Sequence, residues 1–82
     1  MAVTKDQVRI RSLARKFTQQ DSYDALHEAA WMVVDAPENE STRLHNWFKA
    51  AVEKYASTAS EVYRCTRVFD LQVGLIRDHT TE

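Results

Sequence analysis

Residues 44–55 read Leu44-His45-Asn46-Trp47-Phe48-Lys49-Ala50-Ala51-Val52-Glu53-Lys54-Tyr55. Leu44, Trp47, Phe48, Ala51, Val52 and Tyr55 fall at i, i+3, i+4, i+7, i+8 and i+11. That spacing lays them along one face of a helix. Trp47 and Phe48 remove more apolar area from water than any other side-chain type available. His45, Asn46, Lys49, Glu53 and Lys54 make the opposite, wet face. The rest of the chain must pack against this stretch, which is expected to be central to the core.

The pattern extends outward in both directions. Upstream, Pro37-Glu38-Asn39-Glu40 reads as a loop, with Ser41 or Thr42 capping the helix that follows. Ala36 precedes the proline and is steered out of the helical region, so a helix ends there. That helix is expected over Tyr23–Asp35, capped by Asp21 or Ser22, with Tyr23, Leu26, Ala30, Val33 and Val34 inward. Trp31 lies beside this inward face, and Met32 further round. The first helix is expected over Lys5–Gln19. Thr4 and Gln7 form a capping box at its start, and Ile10, Leu13, Ala14 and Phe17 make its apolar stripe.

Downstream, Ser57-Thr58-Ala59-Ser60 interrupts the apolar spacing. Thr58 and Glu61 form a second capping box, which favours a turn over one continuous helix. The last helix is expected over Ser60–Arg77, followed by a flexible tail over residues 78–82. Val62, Cys65, Phe69, Val73 and Ile76 form one stripe on it. Val68, Leu71 and Leu75 form another, nearly opposite. A helix apolar on two sides is either central in its bundle or in contact with another chain. Gly74 weakens this helix; it marks either a close approach of backbones or a fray point.

The expected architecture is therefore all-α, a compact bundle of three to four helices in one domain spanning 1–82. One glycine and one proline in 82 residues leave little material for hairpin turns. At 44% hydrophobic and 28% charged, the chain is too apolar for disorder. The single cysteine, Cys65, cannot form an internal disulfide, which favours a reducing compartment. No apolar signal core follows Met1, and no apolar run approaches the roughly 20 residues that span a bilayer. A cytoplasmic protein without direct membrane insertion is expected.

One glycine excludes a glycine-rich phosphate loop. His27, His45 and His79 are scattered, and Cys65 has no neighbour at metal-ligand spacing. No Ser or Thr is marked as a nucleophile with an oriented base. The expectation is a protein that is not an enzyme and uses no cofactor or metal.

Two surfaces remain. The first is basic. Residues 1–20 carry Lys5, Arg9, Arg11, Arg15 and Lys16 against Asp6, a net +4, whereas residues 21–40 carry six acids and no Lys or Arg, a net −6. The five bases can meet phosphates. They can equally stay solvated, balanced by the acidic segment. No aromatic is interleaved among them in sequence, and the overall charge of −1 disfavours general nucleic-acid binding. The second surface is the stripe Val68, Leu71 and Leu75, extended by Trp31 and Met32. If exposed, it is a self-association or protein-partner site, because apolar patches on small proteins seldom stay uncovered. Binding to protein, with homo-oligomerisation, is the expected function; nucleic-acid binding through helix 1 is the alternative.

Taken whole, the chain resembles the small lysis-inhibition accessory proteins of T-even phages. The resemblance rests on its 82 residues, its one cysteine, and the helical stretches Tyr23-Asp24-Ala25-Leu26-His27-Glu28-Ala29-Ala30-Trp31 and Leu44-His45-Asn46-Trp47-Phe48. It carries over no functional residue. It implies a cytoplasmic protein that supports delay of lysis by binding the cytoplasmic part of a holin or its inhibitor complex. Nothing in the sequence shows membrane affinity, so that contact would be with protein.

Overall fold

The computed structural model describes residues 3–20 and 23–80. They form four helices, α1 (Lys5–Gln20), α2 (Tyr23–Asp35), α3 (Glu38–Tyr55) and α4 (Ala59–Thr80). No strand occurs among the described residues. The protein is an all-α bundle.

Local chemistry sets the helix ends. The Gln7 N–H donates to Thr4 Oγ1 at 3.1 Å and the Thr4 N–H donates to Gln7 Oε1 at 2.9 Å, which completes the box at α1. The expected caps Asp21 and Ser22 lie outside the described residues. At α3 the structure departs from expectation. The helix begins at Glu38, directly after Pro37, and Ser41 and Thr42 lie inside it. Both hydroxyls donate back to the Glu38 carbonyl rather than capping. The cause is Pro37, whose ring holds φ at −54°, together with Glu38 and Glu40, which favour the positive end of the helix dipole.

The turn at residues 56–58 is present. Ala56 is extended at φ −75° and ψ 137°, which ends α3. The Glu61 N–H donates to Thr58 Oγ1 at 3.1 Å, while Glu61 Oε2 accepts from the Ser57 N–H at 3.2 Å. Of the expected tail over residues 78–82, residues 78–80 are helical and residues 81 and 82 lie outside the described residues. α4 continues through Thr80, with Arg77 and His79 favourably placed at its negative end.

The molecule measures 37 × 31 × 17 Å, a thickness of two helix layers. α1 packs chiefly on α3 and α2 chiefly on α4. α2, not α3, meets all three neighbours most extensively. Its inward residues explain this: Ala25, Ala29 and Ala30 are buried beside Leu26 and Val33, and short side chains admit neighbours on several sides. Tyr23, expected inward, is 55% exposed; it meets Phe17 edge-on, with ring centroids 6.2 Å apart. Val34 is only partly buried.

One continuous cluster joins the four helices. α1 contributes Ile10, Leu13, Ala14 and Phe17, and α3 contributes Leu44, Phe48, Ala51 and Val52. α4 contributes Cys65, Phe69, Val73 and Ile76. Phe48 and Phe69 stack at 3.9 Å and 15°, both fully buried. His45 closes the cluster, its ring edge-on to Phe69 at 5.2 Å. Its Nε2 is buried 2.8 Å from Asp70 Oδ1, an ion-pair distance without hydrogen-bond alignment.

α4 is the peripheral helix, so the reading that made it central fails. Gly74 lies on its outward side, and a Cβ built there meets nothing within 4 Å. No backbone among the described residues approaches it, and the helix runs past it. Gly74→Ala is therefore expected to raise the unfolding free energy by about 1 kcal/mol, through helix propensity and a less flexible unfolded chain. Urea titration of dilute protein measures this. A destabilised variant would show a contact at Gly74 that the isolated fold lacks.

Candidate interaction surface

The inward and outward sides of α4 follow from its spacing. With Cys65, Phe69, Val73 and Ile76 turned into the bundle, residues 63, 67, 71, 74, 75 and 78 are carried to the opposite side. Leu71 is 57% exposed, Leu75 56% and Tyr63 65%. Tyr63, Thr66, Arg67, Asp70 and Leu71 line a surface depression of about 380 Å³. Within it an Arg67 N–H donates to the Tyr63 hydroxyl at 3.3 Å. Tyr63 and Arg67 were not among the residues singled out from sequence. Tyr63 stands eight residues before Leu71, a spacing that could have found it.

The other expected members of this surface divide. Val68 packs against the core and is only partly exposed. Met32 does the same and is not part of the outer surface. Trp31 is 37% exposed. Its indole N–H donates to His27 Nε2 at 2.8 Å, and His27 Nδ1 stands 3.1 Å from Gln72 Oε1 on α4. Because Nε2 accepts, Nδ1 carries the proton that Gln72 receives. This chain ties Trp31 to the flank of α4 that holds Gln72. Val68 and Leu75 share that flank, four residues before and three after Gln72. Trp31 thus borders the α4 patch, while Met32 is partly buried against the core.

The five bases of helix 1 do not form one face. Lys5, Arg9 and Lys16 lie on the side toward α2, where Arg9 pairs with Glu28 at 3.1 Å. Arg11 and Arg15 lie on the side toward α3. There the Arg11 guanidinium sits 4.8 Å from the Trp47 ring, and that of Arg15 5.6 Å from Tyr55. Lys54 reaches the same Tyr55 ring at 5.8 Å. Arg11, Trp47, Ala50, Ala51 and Lys54 line a groove of about 170 Å³. Aromatics absent from the sequence around these bases are thus supplied by α3. Trp47 and Tyr55 are half-buried rather than sealed in the core, because their outward rings carry the cations.

Cys65 is 3% exposed, inside the core. Among the described residues no three His, Cys, Asp or Glu side chains are grouped to hold a metal ion. Among the same residues no helix is long and apolar enough to cross a membrane. No protein-family model matches the chain, and no curated protein or solved structure is matched by it.

Proposed function

We propose that the chain is a small regulatory or adaptor protein, not an enzyme, that acts by binding other protein through the outer side of α4. The observation that carries this is the pair Leu71 and Leu75, each more than half exposed on a helix whose other side is fully seated. Two leucines one turn apart, with Tyr63 and Trp31 at their margins, give a patch with an aromatic rim. Such a patch gains from being covered, and nothing within the described chain covers it. The resemblance to lysis-inhibition accessory proteins supplies the partner class: the cytoplasmic part of a holin, or its inhibitor complex. On this reading the protein works in the cytoplasm, without cofactor and without entering the bilayer. The test is affinity capture from the native host with mass spectrometry, run beside a Leu71→Glu, Leu75→Glu chain. A partner retained by the first and lost by the second supports the reading. Identical captured sets remove it.

A second reading is nucleic-acid binding, favoured by the cations of Arg11, Arg15 and Lys54 gathered around Trp47 and Tyr55. Gel-shift of a short single strand at two salt concentrations separates the two. Nucleic-acid binding predicts retardation at low salt that fades by roughly 0.2 M, and about tenfold weaker binding for Arg11→Gln with Arg15→Gln. No retardation at low salt removes it.

A further inference from the structure

The outer side of α4 has a pattern that selects its occupant. Counting away from the buried stripe, Arg67, Leu71, Gly74 and Asp78 recur at alternating steps of four and three, the spacing of a coiled-coil seam. Asp70 and Arg77 flank the seam on one side; Val68 and Leu75 flank it on the other. The seam is basic toward the start of the helix and acidic toward its end. Laid against a parallel copy of itself, it would set Arg67 on Arg67 and Asp78 on Asp78. Laid against an antiparallel copy, it becomes self-complementary.

We infer that the occupant is a second copy of this chain, α4 against α4, antiparallel about a twofold axis between Gln72 and Val73. This rests on the proposed use of the α4 surface and names a partner for it. In that register each seam residue meets a residue whose number sums with its own to 145. Leu71 enters the space over Gly74 of the second copy, and Arg67 faces Asp78 of the second copy. On the flanks, the partly buried Val68 lies beside Leu75 of the second copy, and Asp70, which stands 2.8 Å from His45 Nε2 of its own chain, lies beside Arg77 of the second copy. Each of these four pairings is apolar with apolar or acid with base, and the twofold makes each occur twice.

Gly74 gains a reason in this arrangement. Apart from its own helix backbone, nothing among the described residues lies within 4 Å of where its Cβ would be, so packing among them does not require a glycine there. A knob from a facing helix does require that space. Arg67 holds the Tyr63 hydroxyl at 3.3 Å, a contact readily exchanged for a carboxylate, and Asp78, which also has an interaction within its own chain, would add Arg67 of the second copy to it. Residues 67 and 78 are about 16 Å apart along one helix, so any pairing between them is between chains.

The interface is small. A standard association covers roughly 800 Å² per partner, about a seventh of the 5638 Å² this chain exposes. One helix face falls short of that, so a weak dimer with a Kd of about 10–100 µM is expected.

Charge exchange tests the register. Sedimentation of the wild type should show a reversible dimer. Arg67→Asp and Asp78→Arg, each alone, should weaken it about tenfold or more, because each sets two like pairs face to face. The double exchange should recover it to within roughly threefold, and so should mixing the two single variants, since both pairs are then opposite in sign. Circular dichroism checks that each chain is folded; the mixing experiment needs only the two single variants. A wild type monomeric to about 1 mM, or a double exchange no better than the singles, overturns the inference. If the chain is monomeric yet Leu71→Glu with Leu75→Glu still loses a captured partner, self-pairing falls and the surface reading stands. If the dimer obeys the charge exchange while capture ignores the two leucine substitutions, the self-pairing stands and the separate partner falls.

Discussion

Phe48→Ala is expected to remove about 3–5 kcal/mol of stability. Phe48 is fully buried and stacked on Phe69 at 3.9 Å, so its removal opens a cavity between α3 and α4 and strips one face of Phe69. For 82 residues, total stability scales to roughly 4–12 kcal/mol. A loss of this size brings the variant near its midpoint if the total lies at the low end of that range and leaves it folded, with a lower urea midpoint, if the total lies at the high end. Urea titration followed by circular dichroism measures it. Phe48→Leu, which keeps most of the volume, should lose only about 1–1.5 kcal/mol. Equal losses for the two would mean that aromatic stacking, not cavity volume, dominates the site. Losses below about 1 kcal/mol for alanine would contradict the packing described.

Leu71→Glu combined with Leu75→Glu should behave in the opposite way. Both positions are more than half exposed, and Glu and Leu have similar helix propensities. A carboxylate at position 71 would gain Arg67 one turn away, while the two introduced carboxylates would repel each other, so the local charges nearly offset. The unfolding free energy should therefore change by less than about 0.5 kcal/mol and helicity should persist. Association through α4 should weaken by about 100-fold or more, because two carboxylates would be buried where two leucines meet apolar neighbours. Global unfolding instead would show the outer stripe to be core. Phe48→Ala and this pair thus separate the two apolar stripes by what each one does. One holds the fold, and the other is available to a partner.

The basic residues of α1 illustrate a different division. Arg9 pairs with Glu28 of the acidic second helix. Arg11 and Arg15 pair with rings rather than carboxylates. Among the described residues, the opposing charges of residues 1–20 and 21–40 therefore meet on the flank of Arg9. The other flank keeps its cations beside Trp47 and Tyr55, and this arrangement is what sustains the nucleic-acid reading.

How much was legible follows from what spacing encodes. An all-α chain of three to four helices, the box of Thr4 and Gln7, the preference for a turn at Thr58 and Glu61, and the inward stripe of Ile10, Leu13, Ala14 and Phe17 are local properties, carried by neighbours within one or two turns. The chain alone determined these. It did not determine that α4 lies at the edge of the bundle, which stripe of α4 turns outward, or that Arg11 finds Trp47. Periodicity reports an angle around one helix axis and says nothing about which neighbour stands at that angle. That choice was made by packing between helices, where the short side chains of α2 draw its neighbours close and leave the outer side of α4 in water.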